Sequence, residues 1–247
     1  METTTPIGSG CGVTIFARRA FLVGWSLLAL SGGCMPAAAA DLTAAAVRTM
    51  LASHAGPAVP DLSNQDLANL DLSDADFKGA NLAGANLTGA NLKKANLAAV
   101  DLSGATIDLA ILRGANLQGA NLRNVKAFAT VLAQADLSGA DLSGAKLVCN
   151  FENANLTDAN LAGVMGGADM RNQSMGLMRI SLYNANLRNA DLTGADLSRG
   201  LLEFADFQGA NLSGANLSWA DAGGAYFSGA NLAGADFTMI DIQSARF

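Results

Sequence analysis

From residue 61 onward, large apolar side chains recur at every fifth position. Between residues 75 and 99 the chain reads Ala-Asp-Phe-Lys-Gly, Ala-Asn-Leu-Ala-Gly, Ala-Asn-Leu-Thr-Gly, Ala-Asn-Leu-Lys-Lys, Ala-Asn-Leu-Ala-Ala. Taking the Leu or Phe as the centre of each unit, centres fall every five residues from Leu62 to Leu147, with Ala127 the weakest. The register then slips by one at Val148, giving Phe151, Leu156 and Leu161. It resumes at Leu182 and runs through Phe207, Leu212, Phe227 and Phe237 to Phe247. A helix repeats every ~3.6 residues and a half-buried strand every ~2, so neither generates this spacing. One helix is predicted, ahead of the repeats, over residues 42–54. Thr43 is its N-cap, Val47, Met50 and Leu51 share a face, and Gly56-Pro57 ends it.

These units resemble the pentapeptide-repeat family, whose consensus is Ala-(Asp/Asn)-Leu-x-x. The resemblance covers about three quarters of the chain. It implies an all-β fold: a right-handed quadrilateral parallel β-helix in which each pentapeptide makes one side and four make a coil of twenty residues. It also implies that the centre and the residue two before it point inward. Leu and Ala then alternate inside a tube too narrow for two large side chains per side. Gly at the last position of a unit suits a corner that needs positive φ. The helix serves as a cap over the open backbone of the first coil.

The sequence supports twenty residues per coil independently. The position before the centre, taken every twenty residues, reads Asp61, Asn81, Asp101, Asn121, Asp141 and, after the slip, Asn160. Carboxylates stacked at a strand spacing of about 4.8 Å repel by about 0.9 kcal/mol even in water. Alternating Asp with Asn avoids that while keeping side chains that bond the corner backbone. Residues 61–247 then give roughly nine coils, about 45 Å long. Residues 164–181 lose the consensus and carry four Met. Because Leu161 and Leu182 are 21 residues apart, this stretch is expected to be one degenerate coil with a bulge. A Met-rich irregular segment also suits an adaptable contact surface.

Residues 1–40 read as an export signal. Arg18-Arg19 precede an apolar run, Ala20–Leu30, which is too short to span a membrane. Ala38 and Ala40 frame a small-residue cleavage site before Asp41. Arg18-Arg19-Ala20-Phe21-Leu22 also resembles the twin-arginine export motif, with Ala17 where that motif has Ser or Thr. A rival cleavage before Cys34, following Ser31-Gly32-Gly33, would give a lipid-anchored protein. Contact with a membrane is expected only if Cys34 is lipidated. Export to the periplasm or beyond is therefore expected, leaving 207 of the 247 residues. The organisation is signal 1–40, cap 41–60 and repeats 61–247.

Composition bounds the rest. Hydrophobic residues make up 51% of the chain but aromatic ones only 6%, so the apolar content is repeat Ala and Leu rather than an irregular core. With a net charge of −6 and no basic block after residue 20, no nucleic-acid footprint is present. Three cysteines cannot form a disulfide framework. His54 falls in the cap without an identifiable partner, and Cys149 holds a small inward position. No metal-ligand cluster, phosphate loop or nucleophile elbow is found, so neither a cofactor nor an enzyme is expected.

Three non-catalytic functions compete. The favoured one is an exported binding or scaffold module. Its alternative is a DNA mimic that protects gyrase, an activity known in some cytosolic members of the family; the Asp/Asn alternation and the export signal both oppose it. Ice binding lacks its Thr ladder. Outward apolar residues mark the candidate interface. Ile111 and Val131 sit twenty apart, with Phe128 nearby. Arg199, Trp219 and Met239 form one stacked outward row, and Leu201, Phe204 and Tyr226 face outward in the same coils. Phe207, Phe227 and Phe247 should stack inward toward the last coil. A C-terminal contact between two copies of this chain is the expected use of that end.

Overall fold

The computed structural model describes residues 42–53, 60–168 and 178–247. The signal residues Arg18, Arg19, Ala38 and Ala40, Cys34 and His54 lie outside them. From residue 60 the chain winds as a right-handed parallel β-helix. Asp61 pairs with Asn81, Asp66 with Asn86, Asp71 with Asn91 and Asp76 with Asn96, all in parallel register. These four pairings define the first to fourth sides of the prism, and the same register carried to Arg246 gives nine coils.

Each side is tied to the next coil by backbone hydrogen bonds. On the first side Leu62 N–H donates to Asn81 O at 2.8 Å, Asn81 N–H to Pro60 O at 2.9 Å and Asn64 N–H to Ala83 O at 2.9 Å. At each corner the N–H three residues past the centre returns to the centre's carbonyl, as Ala80 N–H does to Phe77 O at 2.7 Å. The last residue of the unit takes positive φ, +71° at Gly79 and +56° at Asn64. A turn of this kind favours Gly or Asn at that place. The Leu and Phe centres and the Ala two before them are buried from Leu62 to Phe227, forming one continuous core.

Among the described residues only two stretches form longer strands, β1 (Lys126–Val131) and β2 (Lys146–Asn150), paired in parallel. The register breaks between them: Phe128 faces Val148, but Val131 faces Asn150. That is the one-residue slip. Bridges shorten from twenty residues to nineteen, as in Asp136 with Asn155. Thr130 fills the small inward position at the break and satisfies its hydroxyl by donating to Ile107 O at 2.7 Å.

The stretch at 164–181 is not a degenerate coil. Asn150 pairs with Ser181, Asn155 with Asn186 and Met165 with Asp196, each 31 residues apart. At the corner between the second and third sides, between Met165 and Ser181, the chain therefore carries eleven residues beyond a coil. Gly166 stands where a centre should be and donates its N–H to Asp196 O at 2.8 Å; Ile180 N–H closes the neck on Gly166 O at 3.2 Å. Ile180, fully buried, fills the missing volume. A Cβ on Gly166 would lie 3.0–3.2 Å from three Ile180 carbons, and one on Gly200 would meet Ile180 Cγ2 at 3.1 Å. One large side chain thus sits between two glycines.

Helix α1 (Ala44–Ser53) precedes the coils. Thr43 Oγ1 caps it, accepting Ala46 N–H at 3.2 Å. Val47 is fully buried in the solenoid core cluster, and Leu51 packs against it. The Arg48 guanidinium donates to Ser73 O at 2.7 Å and Asp71 O at 3.3 Å. Met50 does not share the buried face as the sequence suggested: it is 42% exposed, while Val47 is buried and Leu51 packs against the core.

Candidate interaction surface

The residue before each centre explains the Asp/Asn alternation more fully than repulsion does. Asn81 Nδ2 donates to Asp61 Oδ1 at 3.0 Å, while Asn81 Oδ1 accepts Ala83 N–H at 3.0 Å. The same arrangement joins Asn121 to Asp101 at 2.9 Å and Asn96 to Asp76 at 2.8 Å. Asp accepts only; Asn both donates and accepts. Each Asn therefore ties two coils together and satisfies its own corner. The Ser63 hydroxyl and N–H hold the Asp61 carboxyl below its usual range, and Ser73 does the same for Asp71. Burial raises Asp136, but the Ser138 N–H and hydroxyl and the Gln118 and Asn155 amides together outweigh it and hold the carboxyl low.

This ladder is not uniform around the prism. Every such position on the first side is Asp or Asn, from Asp61 to Asn231, and the fourth side holds them from Asp76 to Asp206. On the second side the middle coils carry Thr106, Lys126, Lys146 and Met165 instead. On the third they carry Ile111, Val131 and, later, Ser181 and Leu201. The two altered sides are neighbours, and the eleven-residue insertion leaves from the edge they share.

The candidate residues map onto this geometry as follows. Arg199, Trp219 and Met239 stack along the shared edge of the second and third sides, with Arg199 Cζ 5.0 Å from the Trp219 ring centroid. Leu109 lies on the same edge, in the third coil. Phe204 is at the far corner of the third side, meeting Tyr183 edge-on at 5.7 Å and lying against Gly224, where a Cβ would be 2.7 Å from its ring. Leu201 is half-buried on the third side, and Tyr226, on the fourth, stacks with Arg246 at 5.1 Å. The inward stack is present: Phe207 to Phe227 at 5.1 Å and Phe227 to Phe247 at 5.2 Å. Phe247, at its end, is 63% exposed. The structure therefore brings Arg199, Trp219 and Met239 together along the side of the prism and leaves Phe247 at its end.

Backbone conformation adds a signal that sequence reading missed. Arg199, Phe204, Trp219 and Met239 all have φ between +56° and +62°. For an L-residue of that bulk the left-handed region costs roughly 1–2 kcal/mol. Corners such as Gly194, Gly209 and Gly214 avoid it in the same coils.

The described residues hold no group of His, Cys, Asp or Glu arranged for a metal. Burial pushes the Cys149 thiol far above its ordinary range, which suppresses the thiolate that reactivity needs.

The fold is a solenoid with an apolar Leu/Ala core and its Asp, Asn and charged rows facing outward. The family model for pentapeptide repeats matches it in eight copies over residues 61–93, 90–126, 129–148, 177–214 and 210–247, and the chain belongs to that family. The stretch left unmatched, 149–176, begins beside the slip and takes in most of the insertion. Among solved structures the chain is similar to HetL, a pentapeptide repeat protein involved in heterocyst differentiation regulation from the cyanobacterium Nostoc sp. strain PCC 7120. Identity is 29% over 81% of this chain and 92% of that one, with a TM-score of 0.39. It is also similar to QnrB1, a plasmid-mediated fluoroquinolone resistance protein, at 21% identity over 76% and 84%, TM-score 0.42. A pentapeptide repeat protein from the Arabidopsis thaliana thylakoid lumen matches at 34% identity over 44% and 74%, TM-score 0.29. No curated protein is matched.

Proposed function

We propose that this chain is a non-catalytic, exported binding or scaffold module that works through its C-terminal coils, where it pairs with a second copy of itself. The observation that carries this reading is the placement of Arg199, Phe204, Trp219 and Met239. Four bulky, outward side chains occupy corners that favour glycine, and the local cost of holding them there accompanies display rather than packing. A gyrase-protecting DNA mimic would need a continuous acidic side. Here ladder Asp residues are bonded by Asn of the next coil, and Lys126 and Lys146 interrupt the second side.

Export rests on Arg18-Arg19, the apolar run and the Ala38/Ala40 site, and places the protein in the periplasm or outside the cell. Intact-mass measurement of protein from the cell envelope should give a chain beginning at Asp41. A lipidated Cys34 would instead mean membrane anchoring, and an uncleaved cytosolic chain would overturn export. For pairing, light scattering across a concentration series should show a monomer–dimer equilibrium, weakened by Phe204→Gly with Trp219→Gly. A monomer at every concentration would refute self-association.

A further inference from the structure

Along the edge shared by the second and third sides, coils three to five carry an apolar ridge. Leu109 is 57% exposed at the edge in the third coil, and Phe128 is 49% exposed beside it in the fourth. Ile111 and Val131 are register partners on the third side, and Val148 faces Phe128; all three are half-buried. These are outward positions, which Asp, Asn, Ser and Gly mostly fill along the first side. The ridge is convex, because two sides of the prism meet there.

Basic side chains flank it on both sides. Lys126 and Lys146 are register partners on the second side, so they stack one strand spacing apart, about 4.8 Å. Lys93 and Arg113 stand twenty residues apart on the third side, in consecutive coils. All four are exposed. Arg113 Nε–H donates to Gln134 Oε1 at 3.3 Å. Among the described residues the salt bridges are Arg123 with Asp141 and Arg188 with Asp206, on the other two sides, so no carboxylate pairs with these four. Two carboxylates share the stretch: Asp108, which accepts Phe128 N–H at 2.8 Å, and Glu152, which accepts from Asn153 Nδ2 at 3.4 Å. The flanks differ elsewhere along the edge. Asp66 and Asp71 stand there in the first coil, and Asp196, Glu203, Asp221, Asp236 and Asp241 outnumber Arg179 and Arg199 in the late coils.

We infer that this ridge docks on an anionic lipid surface, with Leu109 and Phe128 in the interface and Lys93, Arg113, Lys126 and Lys146 on lipid phosphates. Apolar residues of interfacial proteins enter about 5–10 Å into the headgroup and acyl boundary. Lys126 precedes Phe128 by two residues of extended chain, roughly 7 Å, so the flanking bases reach phosphate depth as the ridge enters. A fluid interface closes around a convex edge, whereas a protein partner would need a groove cut to fit it. Nucleic acid would use the bases and leave the ridge in water. The carboxylates of the late coils are repelled by anionic lipid and confine the contact to coils two to five, so Trp219, on the same edge, stays outside it. The contact is independent of pairing through the C-terminal coils and needs no lipid at Cys34.

The test uses the mature chain from Asp41, which carries no lipid and, with Trp25 removed, holds Trp219 as its single tryptophan. Vesicles of phosphatidylcholine and phosphatidylglycerol in equal parts should carry it down on sedimentation, and vesicles of phosphatidylcholine alone should leave most of it in solution. Lys126→Gln with Lys146→Gln should partition into the mixed vesicles at least about tenfold more weakly. Phe128→Ser should weaken partition by a similar factor, and unchanged melting confirms folding in both. Phe128→Trp locates the contact: lipids brominated on their acyl chains should quench the added indole but not Trp219 of the parent. Equal partition of the parent into both vesicles, parental binding by the double Gln variant or by Phe128→Ser, or quenching of Trp219 without quenching at position 128 each overturns the inference. A parent that stays in solution with both vesicles also overturns it and assigns the ridge to a protein partner. None of these results bears on dimerisation, which light scattering reads separately.

Discussion

The first and fourth sides of this solenoid and the second and third share one core but differ in how they use their outward positions. Along the first side, every residue before a centre is Asp or Asn, and most corners are bonded by its side chain. On the third side Ile111 and Val131 replace it in consecutive coils. Neither can accept the N–H two residues on, as Asn121 accepts that of Arg123 at 3.3 Å. A net hydrogen bond of this kind contributes about 0.5–1.5 kcal/mol. The comparison teaches that a fold built from one repeated unit can keep its stability on two sides and vary the other two for recognition, because the backbone ladder and the Leu/Ala core carry all four.

The largest expected effect tests what the sides share. Leu142 is a fully buried centre. Leu142→Lys places an unpaired charge in an apolar core whose buried polar side chain, Thr130, is already committed to Ile107 O, and should cost about 3–5 kcal/mol, seen as insolubility or loss of the folded state. Ser143→Lys, one residue on and partly exposed, should stay within about 0.5 kcal/mol of the parent. Equal melting temperatures for the two would break the inside–outside assignment on which the comparison stands.

Acid should act through the Asp ladders. Asp61, Asp71, Asp136 and Asp236 are held below the ordinary carboxylate value of 3.8. None of them lies on the second or third side of coils two to six. A carboxyl depressed in the folded state contributes stability that is fully present above its unfolded value and is lost as pH falls through the folded one. Melting temperature should therefore be flat from pH ~7 to ~5 as far as these groups are concerned, then fall below pH ~4. Melting that is unchanged down to pH ~2 would show that the carboxylate ladder contributes nothing.

A smaller effect is expected at the corners. Gly104, between the first and second sides, has φ +65° and no atom within 4 Å of where a Cβ would stand, so only backbone conformation opposes Gly104→Ala. It should cost about 1 kcal/mol. Leu109→Gly, at φ +60° on the edge between the second and third sides, should recover a similar or smaller amount, since glycine gives back entropy in the unfolded chain. Paired thermal melts check both signs; a loss in each would mean that Leu109 packs rather than displays.

Much of this molecule was legible in its sequence. The five-residue period located the inward positions, and stacking at twenty residues placed Asp61 under Asn81. The Phe207–Phe227–Phe247 stack followed from the same count. The insertion was not legible, because the 21 residues from Leu161 to Leu182 imitate one coil with a bulge. Only the hydrogen-bond register, with Gly166 standing in a centre position and Ile180 filling its space, shows that eleven extra residues are inserted there. The ladder's donors were missed for a different reason. Alternation read as relief of repulsion predicts the same residues as an Asn amide bonding an Asp, and the direction of that bond is a matter of geometry. The corner strain at Trp219 and Met239 was missed although both occupy the last position of a unit, the place where Gly was read as meeting a need for positive φ.

The most direct test of side specialisation is a pair of single substitutions that exchange the two kinds of position. Asn121→Ile removes the bond to Asp101 and the acceptor for Arg123 N–H on the first side. Ile111→Asn installs both capacities on the third, above Asn91. Calorimetric melts should show Asn121→Ile lowering stability by about 1–2 kcal/mol and Ile111→Asn raising it by up to about 1 kcal/mol. If Ile111→Asn destabilises as Asn121→Ile does, Ile111 belongs to the stabilising framework, and the division of the prism into ladder sides and display sides is wrong.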